Sequence, residues 1–339
     1  MTSKKNNFWH DKRVLVTGAT GMVGFWLVKD LIAAGARVVA FVRGSDSPSV
    51  FSYSGDFRGV FLVKGNVEDF ASLERAISSY KVETVFHLAA QSIVGVAHQN
   101  PLPTFETNIR GTYNLLEACR LHGDIVKRVV IASSEKAYGL HETLPFSERT
   151  PLTGRHPYEV SKSCADLMAQ AYHHTYGLPV ALLRSGNIFG GADLNWGRLV
   201  PHTIRSFLKN QRPIIRSEGR FVRDFLRDYM YVKDISHCYM KMAEALSDKK
   251  IHGQAFNVSL EHPLTVLELV GMIQKLMKCS HLTPKVQTIA PGDIHSRYVS
   301  ASKAHTVLGW KPKFTLEKGL EETIAWYRDY LSTHPDSLV

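Results

Sequence analysis

Short apolar runs alternate with segments of helical periodicity from Arg13 to Gly190. The runs RVLVTG, RVVAFVRG, VFLVKGNV and ETVFHLAA are rich in β-branched residues, whereas VGFWLVKDLIAAG and FASLERAISSY place apolar residues at helical spacing. The strand runs are almost continuously apolar, which is typical of a parallel sheet with helices on both faces. We therefore expect an α/β fold with a doubly wound parallel sheet of the Rossmann type.

The alternation ends after Gly190, where shorter mixed elements begin. Before that point the pattern predicts a helix over 108–121, a strand over 128–133, a helix over 158–176 and a strand over 179–184. An amphipathic helix follows Leu316. We expect a dinucleotide-binding domain over 10–188, to which about 228–260 return, and a smaller C-terminal substrate-binding domain formed by 189–227 and 261–339.

A glycine-rich loop follows the first predicted strand. It reads TGATGMVG and spaces its glycines as Gly18, Gly21 and Gly24. The first glycine permits a tight turn, the second lets the backbone approach a pyrophosphate, and the third lets the helix pack on the strand. Because this loop stands between a strand and a helix, it predicts dinucleotide binding.

The cofactor preference depends on the end of the second strand, where an acid selects NAD and an arginine accepts the 2′-phosphate of NADP. The sequence has Arg43 there, which inclines the choice toward NADP. Asn66 ends the third strand run and is a candidate contact for the adenine edge.

Tyr158 and Lys162 stand four residues apart, so both lie on one face of the predicted helix. A neighbouring lysine can lower the pKa of a phenol enough for it to act as a base near neutral pH. Ser134 ends the strand VVIASS and could hydrogen-bond the same substrate oxygen. Beside the glycine loop, these three residues predict hydride chemistry.

The composition and charge of the chain limit the classes of ligand that it could bind. The chain has 339 residues, 44% of them hydrophobic, and a net charge of +10. The basic residues are scattered and form no nucleic-acid-binding motif, so we expect phosphate-bearing small molecules rather than nucleic acid as ligands. No apolar run is long enough for a membrane span or a secretory signal, and the histidines and cysteines show no metal-ligand spacing. We expect a cytoplasmic protein without metal or membrane.

Several motifs together resemble the extended short-chain dehydrogenases/reductases that modify nucleotide sugars. They are TGATGMVG (17–24), HLAAQ (87–91), ETNIRGTYNLLEA, SSEKAYG (133–139), YEVSK (158–162), RSGNIFGG (184–191), RDYMYVKD (227–234) and LGWKP (308–312). The resemblance covers nearly the whole chain. It implies a Rossmann domain, a small nucleotide-sugar domain, and a homodimer formed through helices at about 100–120 and 158–176.

The resemblance also assigns roles to residues of this sequence. The cofactor-binding set that it implies, with the residues above, is Gly18, Thr20, Gly21, Met22, Val23, Gly24, Arg43, Asn66, Val67, Leu88, Ala89, Ala90, Asn108, Tyr158 and Lys162. For the nucleotide sugar the candidates are Gln91, Asn187 and Arg198, with Arg297 and either Arg223 or Arg227 on the diphosphate. The last choice is open because the sequence carries four extra residues between Gly219 and Val232.

Glu135 and Lys136 decide which reaction the resemblance implies. Epimerases of the group usually have small residues there, whereas 4,6-dehydratases have an acid and a second proton-handling group. The chain is most similar to CDP-glucose 4,6-dehydratases, in which an aspartate usually precedes the lysine, so Glu135 adds one methylene and could move the acid by about 1 Å. The implied activity is dehydration of an NDP-hexose, CDP-glucose favoured, through a tightly bound NAD(P) that is regenerated in each cycle.

In that mechanism Tyr158 takes the proton of the sugar C4 hydroxyl, Lys136 removes the C5 hydrogen, and Glu135 protonates the departing C6 hydroxyl. Three alternatives remain open. The pair could be an ordinary exposed ion pair, the enzyme could be an NDP-sugar epimerase that uses the same tyrosine, and the chain could be a non-catalytic NADP-sensing or scaffold protein of the same fold.

Overall fold

A seven-stranded parallel sheet forms the centre of the protein in the computed structural model, which describes residues 8–44, 59–217, 226–288 and 296–334. The strand order is β3-β2-β1-β4-β5-β6-β10. The strands are β1 (Arg13–Thr17), β2 (Arg37–Val42), β3 (Phe61–Lys64), β4 (Thr84–His87), β5 (Arg128–Ala132), β6 (Val180–Ser185) and β10 (Ala255–Val258).

Helices cover both faces of this sheet. Along the described chain the helices are α1 (Met22–Ala33), α2 (Phe70–Tyr80), α3 (Val94–Gln99), α4 (Pro101–Phe105), α5 (Gly111–Leu121), α6 (Pro157–Tyr176), α7 (Leu199–Leu208), α8 (Val232–Ala245), α9 (Val266–Met277), α10 (Ser302–Val307) and α11 (Leu316–Thr333), of which α7, α9 and α11 belong to a smaller region beside the sheet. Glu106–Arg110 form a π-helical turn, and Glu135–Tyr138 and Lys249–Ile251 form 3-10 turns.

The continuous apolar runs follow from burial on both sides. Within β1, Val14 and Val16 pack toward α1 and α8, while Leu15 packs toward α2, α5 and α6. Because successive side chains of a strand point to opposite faces, a strand covered twice must be apolar at every position. The predicted Rossmann-type fold is therefore confirmed.

A smaller region packs beside the carboxyl ends of the sheet. In it β7 (Asn187–Phe189) pairs in parallel with β9 (Tyr229–Tyr231), and β8 (Ile214–Ser217) pairs in parallel with β11 (Lys285–Thr288). A separate hydrophobic cluster, which includes Phe189, Tyr231 and Tyr327, joins these elements to α7, α9 and α11. Its position leaves a cleft between the region and the sheet.

A helix that spans a bilayer must be both long and apolar. Among the described residues, no helix combines the length and the apolar composition that crossing a membrane requires.

Candidate functional site

A cleft of about 1560 Å³ opens at the carboxyl ends of the central strands. The strand order reverses between β1 and β4, and ligands of open α/β sheets bind at such a reversal. The cleft brings together most of the predicted site residues: Gly18, Thr20, Gly21, Met22, Val23, Gly24, Arg43, Val67, Leu88, Ala89, Ala90, Ser134, Glu135, Lys136, Tyr158, Lys162, Asn187, Arg198 and Arg227.

The glycine loop has the geometry that a diphosphate needs. Gly18 has a φ of +69°, and a Cβ on it would lie 2.7 Å from the Ala89 nitrogen. A Cβ on Gly24 would collide with the Gly18 carbonyl oxygen, whereas one on Gly21 would meet only that oxygen, at 3.4 Å. Within the described structure, no side chain caps the amino end of α1, so its N–H groups are left for an anion. These residues fit a nicotinamide dinucleotide.

We expect an added methyl group to have different effects at Gly24 and at Gly21. Gly24→Ala should lower the melting temperature, because the buried turn must shift to admit the methyl group, at a cost of about 1–3 kcal/mol. Gly21→Ala should unfold near the wild-type temperature but bind the dinucleotide at least tenfold more weakly. Thermal denaturation with and without NADP measures both effects, and equal melting temperatures of the two variants would contradict this account.

Ser134 and Tyr158 meet at the end of β5. The two side chains share a hydrogen bond, and the Ser134 Oγ also accepts from the Lys136 backbone nitrogen at 3.2 Å. Lys162 lies one helical turn beyond Tyr158, and its Nζ donates to the Ala132 carbonyl oxygen at 2.8 Å. The three residues form a contiguous wall of the cleft.

The electrostatics of Tyr158 differ from the prediction. Burial raises the pKa of Tyr158, opposed by the Ser134 hydrogen bond and the Arg198 charge. Lys162 is not among the causes of this shift, and burial lowers its own pKa to about 8. The expected lowering of the phenol pKa by Lys162 was therefore wrong for the protein alone, because desolvation of the hydroxyl outweighs the nearby charges.

Glu135 and Lys136 are not an exposed ion pair. Glu135 is 1% exposed, and neither of its carboxyl oxygens has a hydrogen-bond partner among the described residues. Burial raises the pKa of Glu135 and lowers the pKa of Lys136, while the attraction between the two charges opposes both shifts. Burial thus favours a protonated acid beside a neutral amine.

Asp228 and Gly186 complete the surroundings of Glu135, and the sequence analysis did not single them out. Buried Asp228 accepts hydrogen bonds from the Ser259 hydroxyl at 2.8 Å and the Val299 nitrogen at 2.9 Å. Burial raises its pKa to about 6. A Cβ on Gly186 would lie 3.0 Å from the Glu135 Oε2 and 2.8 Å from the Asp228 Cβ. Glycine at 186 therefore leaves space for the Glu135 carboxyl group.

Three predicted substrate residues lie in the cleft. Asn187 donates to the Asp228 carbonyl oxygen at 3.2 Å, and Arg227 lines the cleft near Glu135 and Lys136. Arg198 spans the opening, since its guanidinium contacts Asp193 at 3.2 Å and the Ser92 hydroxyl at 2.8 Å.

The remaining predicted residues lie elsewhere. Asn108 holds the backbone of Gln91 through bonds of 2.8 and 3.0 Å, and neither residue lines the cleft. Exposed Asn66 is outside the lining as well. Arg297 is buried in an ion pair with Glu159 at 2.6 Å. Arg223 falls outside the described residues. Direct ligand contacts by these residues stay predictions.

Comparisons with known proteins identify the family of the chain. The family model described as GDP-mannose 4,6 dehydratase matches residues 15–323. The chain belongs to that family. A CDP-glucose 4,6-dehydratase of Salmonella typhimurium is 33% identical over 96% of this chain and 93% of the relative.

Two solved structures have the same fold along nearly their whole length. A dTDP-glucose 4,6-dehydratase from Bacillus anthracis in complex with NAD has a TM-score of 0.81 at 27% identity, covering 95% of this chain and 98% of the other. A UDP-glucose 4-epimerase from Thermotoga maritima with UDP-glucose has a TM-score of 0.84 at 28% identity, covering 94% and 99%. The predicted membership of the extended short-chain dehydrogenases/reductases, and of their nucleotide-sugar dehydratase enzymes, is confirmed.

A buried polar network behind the cleft of this family member also went unpredicted. Asp166 forms a bidentate ion pair with Arg184 at 2.7 and 2.8 Å and accepts from the Ser133 hydroxyl at 2.8 Å. Arg184 also donates to the Tyr138 hydroxyl at 2.8 Å. The sequence did contain a signal of this network, namely the arginine inside the apolar run VALLRS. A guanidinium group buried in a strand needs an acidic partner. The network fixes the segments on either side of Glu135.

Metal ions in proteins are usually held by grouped His, Cys, Asp or Glu side chains. Within residues 8–44, 59–217, 226–288 and 296–334, no three His, Cys, Asp or Glu side chains are grouped so that they could hold a metal ion.

Proposed function

We propose that this protein is an NDP-sugar 4,6-dehydratase that converts an NDP-hexose, CDP-glucose favoured, to the NDP-4-keto-6-deoxy sugar. One observation carries the proposal: buried Glu135, whose carboxyl oxygens have no hydrogen-bond partner in the described part of the chain, and Lys136 lie beside Ser134 and Tyr158 in the cleft. A dehydratase needs an acid and a base at the sugar, whereas oxidation alone needs only the phenol and the dinucleotide.

The cofactor in this proposal is a tightly held NAD(P). The glycine loop and the amino end of α1 would hold its diphosphate, and Lys162 would reach its nicotinamide half. When bound, the dinucleotide accepts a hydride at the start of the cycle and returns it at the end. Its oxidised ring is cationic, which favours the phenolate of Tyr158 and offsets burial.

The side chains divide the proton transfers. Tyr158 removes the proton from the C4 hydroxyl, and Ser134 holds the same oxygen through its hydroxyl group. The C4 ketone then acidifies the C5 hydrogen, which neutral Lys136 removes. Protonated Glu135 gives its proton to the departing C6 hydroxyl, so that water leaves and a C5–C6 double bond forms. When the hydride returns to C6, Lys136 gives the proton that it holds back to C5.

This division predicts the pH dependence of turnover. As the pH rises through the elevated pKa of Glu135, the acid loses its proton and kcat should fall; as the pH falls, Lys136 gains a proton and kcat should fall again. In Glu135→Gln the alkaline decline should disappear while kcat drops by about 10²–10⁴-fold. Rates measured from pH 5 to pH 10 test this; an unchanged alkaline decline in the variant would contradict the assignment of the acid.

The nucleotide sugar would lie across the mouth of the cleft. Arg227 and Arg198 are cationic groups there, and bidentate guanidinium groups suit diphosphate oxygens. CDP-glucose is favoured because the Salmonella typhimurium relative is named for that substrate. Mass spectrometry of reactions with CDP-, dTDP-, UDP- and GDP-sugars, without added reductant, tests the proposal. A product lighter by one water supports it, and failure with every sugar would overturn it.

An NDP-sugar epimerase is the second candidate, supported by the likeness to the Thermotoga maritima UDP-glucose 4-epimerase. An epimerase would leave the product mass unchanged and produce a stereoisomer. It would also have no use for Lys136, so Lys136→Ala would leave its rate largely intact.

We also propose that the protein is a homodimer formed through α4, α5 and α6. Leu102, Tyr113, Leu167 and Tyr176 expose 64%, 41%, 55% and 58% of their surfaces along these helices. Burying them against a second copy would remove apolar area from water. Sedimentation should show a dimer for the wild type and a monomer for Leu167→Glu; a wild-type monomer would contradict the proposal.

A further inference from the structure

The adenosine end of the cleft carries two basic side chains from neighbouring strands. The parallel register of β2 and β3 pairs Val42 with Lys64, which puts Lys64 next to the segment that contains Arg43 and Gly44. The Lys64 Cδ lies 3.9 Å from the position of a Cβ on Gly44. Both Arg43 and Lys64 line the cleft.

Local packing fixes how these two strand ends meet. The Gly65 nitrogen donates to the Val42 carbonyl oxygen at 3.0 Å, which extends the pairing past Lys64. A Cβ on Gly65 would lie 2.6 Å from the Phe41 ring, so the buried ring packs directly under this backbone. The main chain therefore holds the base of Lys64 beside that of Arg43.

Within the described part of the chain, no acidic side chain compensates the charge of the two residues. Both side chains are exposed, and among the described residues neither makes an ion pair or a hydrogen bond. The acids in the described lining are Glu135, which follows β5, and Asp193, beyond β7. Strands β1 and β4 separate β2 from β5, a distance of roughly 14 Å at about 4.8 Å per strand. This end of the cleft thus suits an anion.

We propose that Lys64, together with Arg43, binds the 2′-phosphate of NADP(H), so that Lys64 is a cofactor-specificity residue. The inference rests on the proposed use of a dinucleotide and goes beyond it, because it distinguishes NADP(H) from NAD(H). The 2′-hydroxyl of NAD(H) is uncharged and would give neither cation a charged partner. In dinucleotide folds the end of the second strand faces the adenosine ribose. A phosphate there accepts charge-assisted hydrogen bonds from both side chains.

Two fragments that differ only at the 2′ position provide the test. Calorimetry should show that the wild-type protein binds 2′,5′-ADP at least tenfold more tightly than 5′-AMP. Lys64→Met and Arg43→Met should each weaken 2′,5′-ADP binding about tenfold, and the double variant should bind the two fragments equally. Binding of 5′-AMP should stay within twofold throughout. Lys275→Met removes an exposed lysine outside the cleft lining and should change neither affinity.

The outcomes separate this inference from the proposed function. The role of Lys64 is overturned if the wild type binds the two fragments equally. It is also overturned if Lys64→Met weakens the binding of both fragments or of neither. Both outcomes leave the proposed use of a dinucleotide in place. A folded wild-type protein that binds neither fragment overturns both. A shallower salt dependence of 2′,5′-ADP binding in Lys64→Met would add support, because one ionic contact is lost.

Discussion

Replacing Lys136 with alanine is expected to lower the rate of dehydration by about 10³-fold, because proton transfer by a positioned side chain contributes 10²–10⁴-fold. The variant lacks the amine beside Glu135, whose pKa burial lowers. Product formed in D₂O reports the step directly: exchange at the sugar C5 should fall with the rate. The binding of the dinucleotide should be unchanged, since the glycine loop is untouched.

Lys275→Ala is the matched control, because that lysine is exposed on α9 and outside the described cleft lining. It should retain the wild-type rate. If Lys136→Ala dehydrates its substrate at the wild-type rate, the base is another group. If it catalyses epimerisation instead with full activity, the epimerase alternative is favoured.

Tyr158→Phe is expected to reduce turnover by about 10³-fold or more, since it removes the hydroxyl group that takes the C4 proton. The change deletes one oxygen from a side chain that is 8% exposed and leaves its ring packing in place. The melting temperature should therefore stay close to that of the wild type. Steady-state kinetics should show the loss in kcat rather than in KM, because the hydroxyl acts mainly in the transition state.

Tyr176→Phe serves as the control on the same helix, where the ring is 58% exposed. It should have wild-type kcat and KM. A Tyr158→Phe protein with full activity would show that the phenol has no part in the chemistry.

The fold could be predicted because its signals are local. Apolar runs such as RVLVTG identify strands buried on both faces, and Gly18 and Gly24 stand where the neighbouring backbone leaves no room for a Cβ. The helix expected over 108–121 begins instead as the π-helical turn Glu106–Arg110, followed by α5. Periodicity does not reveal that turn, because one extra residue per hydrogen-bonded ring barely alters the apolar pattern.

The site was harder to predict because it depends on burial and on contacts between distant segments. Arg297 is separated by 138 residues from Glu159, its ion-pair partner. The sequence suggested that the charge on Lys162 lowers the pKa of Tyr158, yet desolvation is the largest cause of the pKa shift of each group. Asp228 and Gly186 border Glu135 only after β7 and β9 have paired. Lys64 approaches Arg43 only through the register of β2 and β3.

The central claim is that Tyr158, Lys136 and Glu135 carry out an internal oxidation, elimination and reduction on one sugar. The most direct test uses CDP-glucose deuterated at C4, incubated with the protein and NADP without any added reductant, with the product analysed by mass spectrometry and NMR. The account predicts a product lighter by one water that carries the deuterium at C6. A product of unchanged mass, or one whose deuterium is lost to solvent, would contradict it.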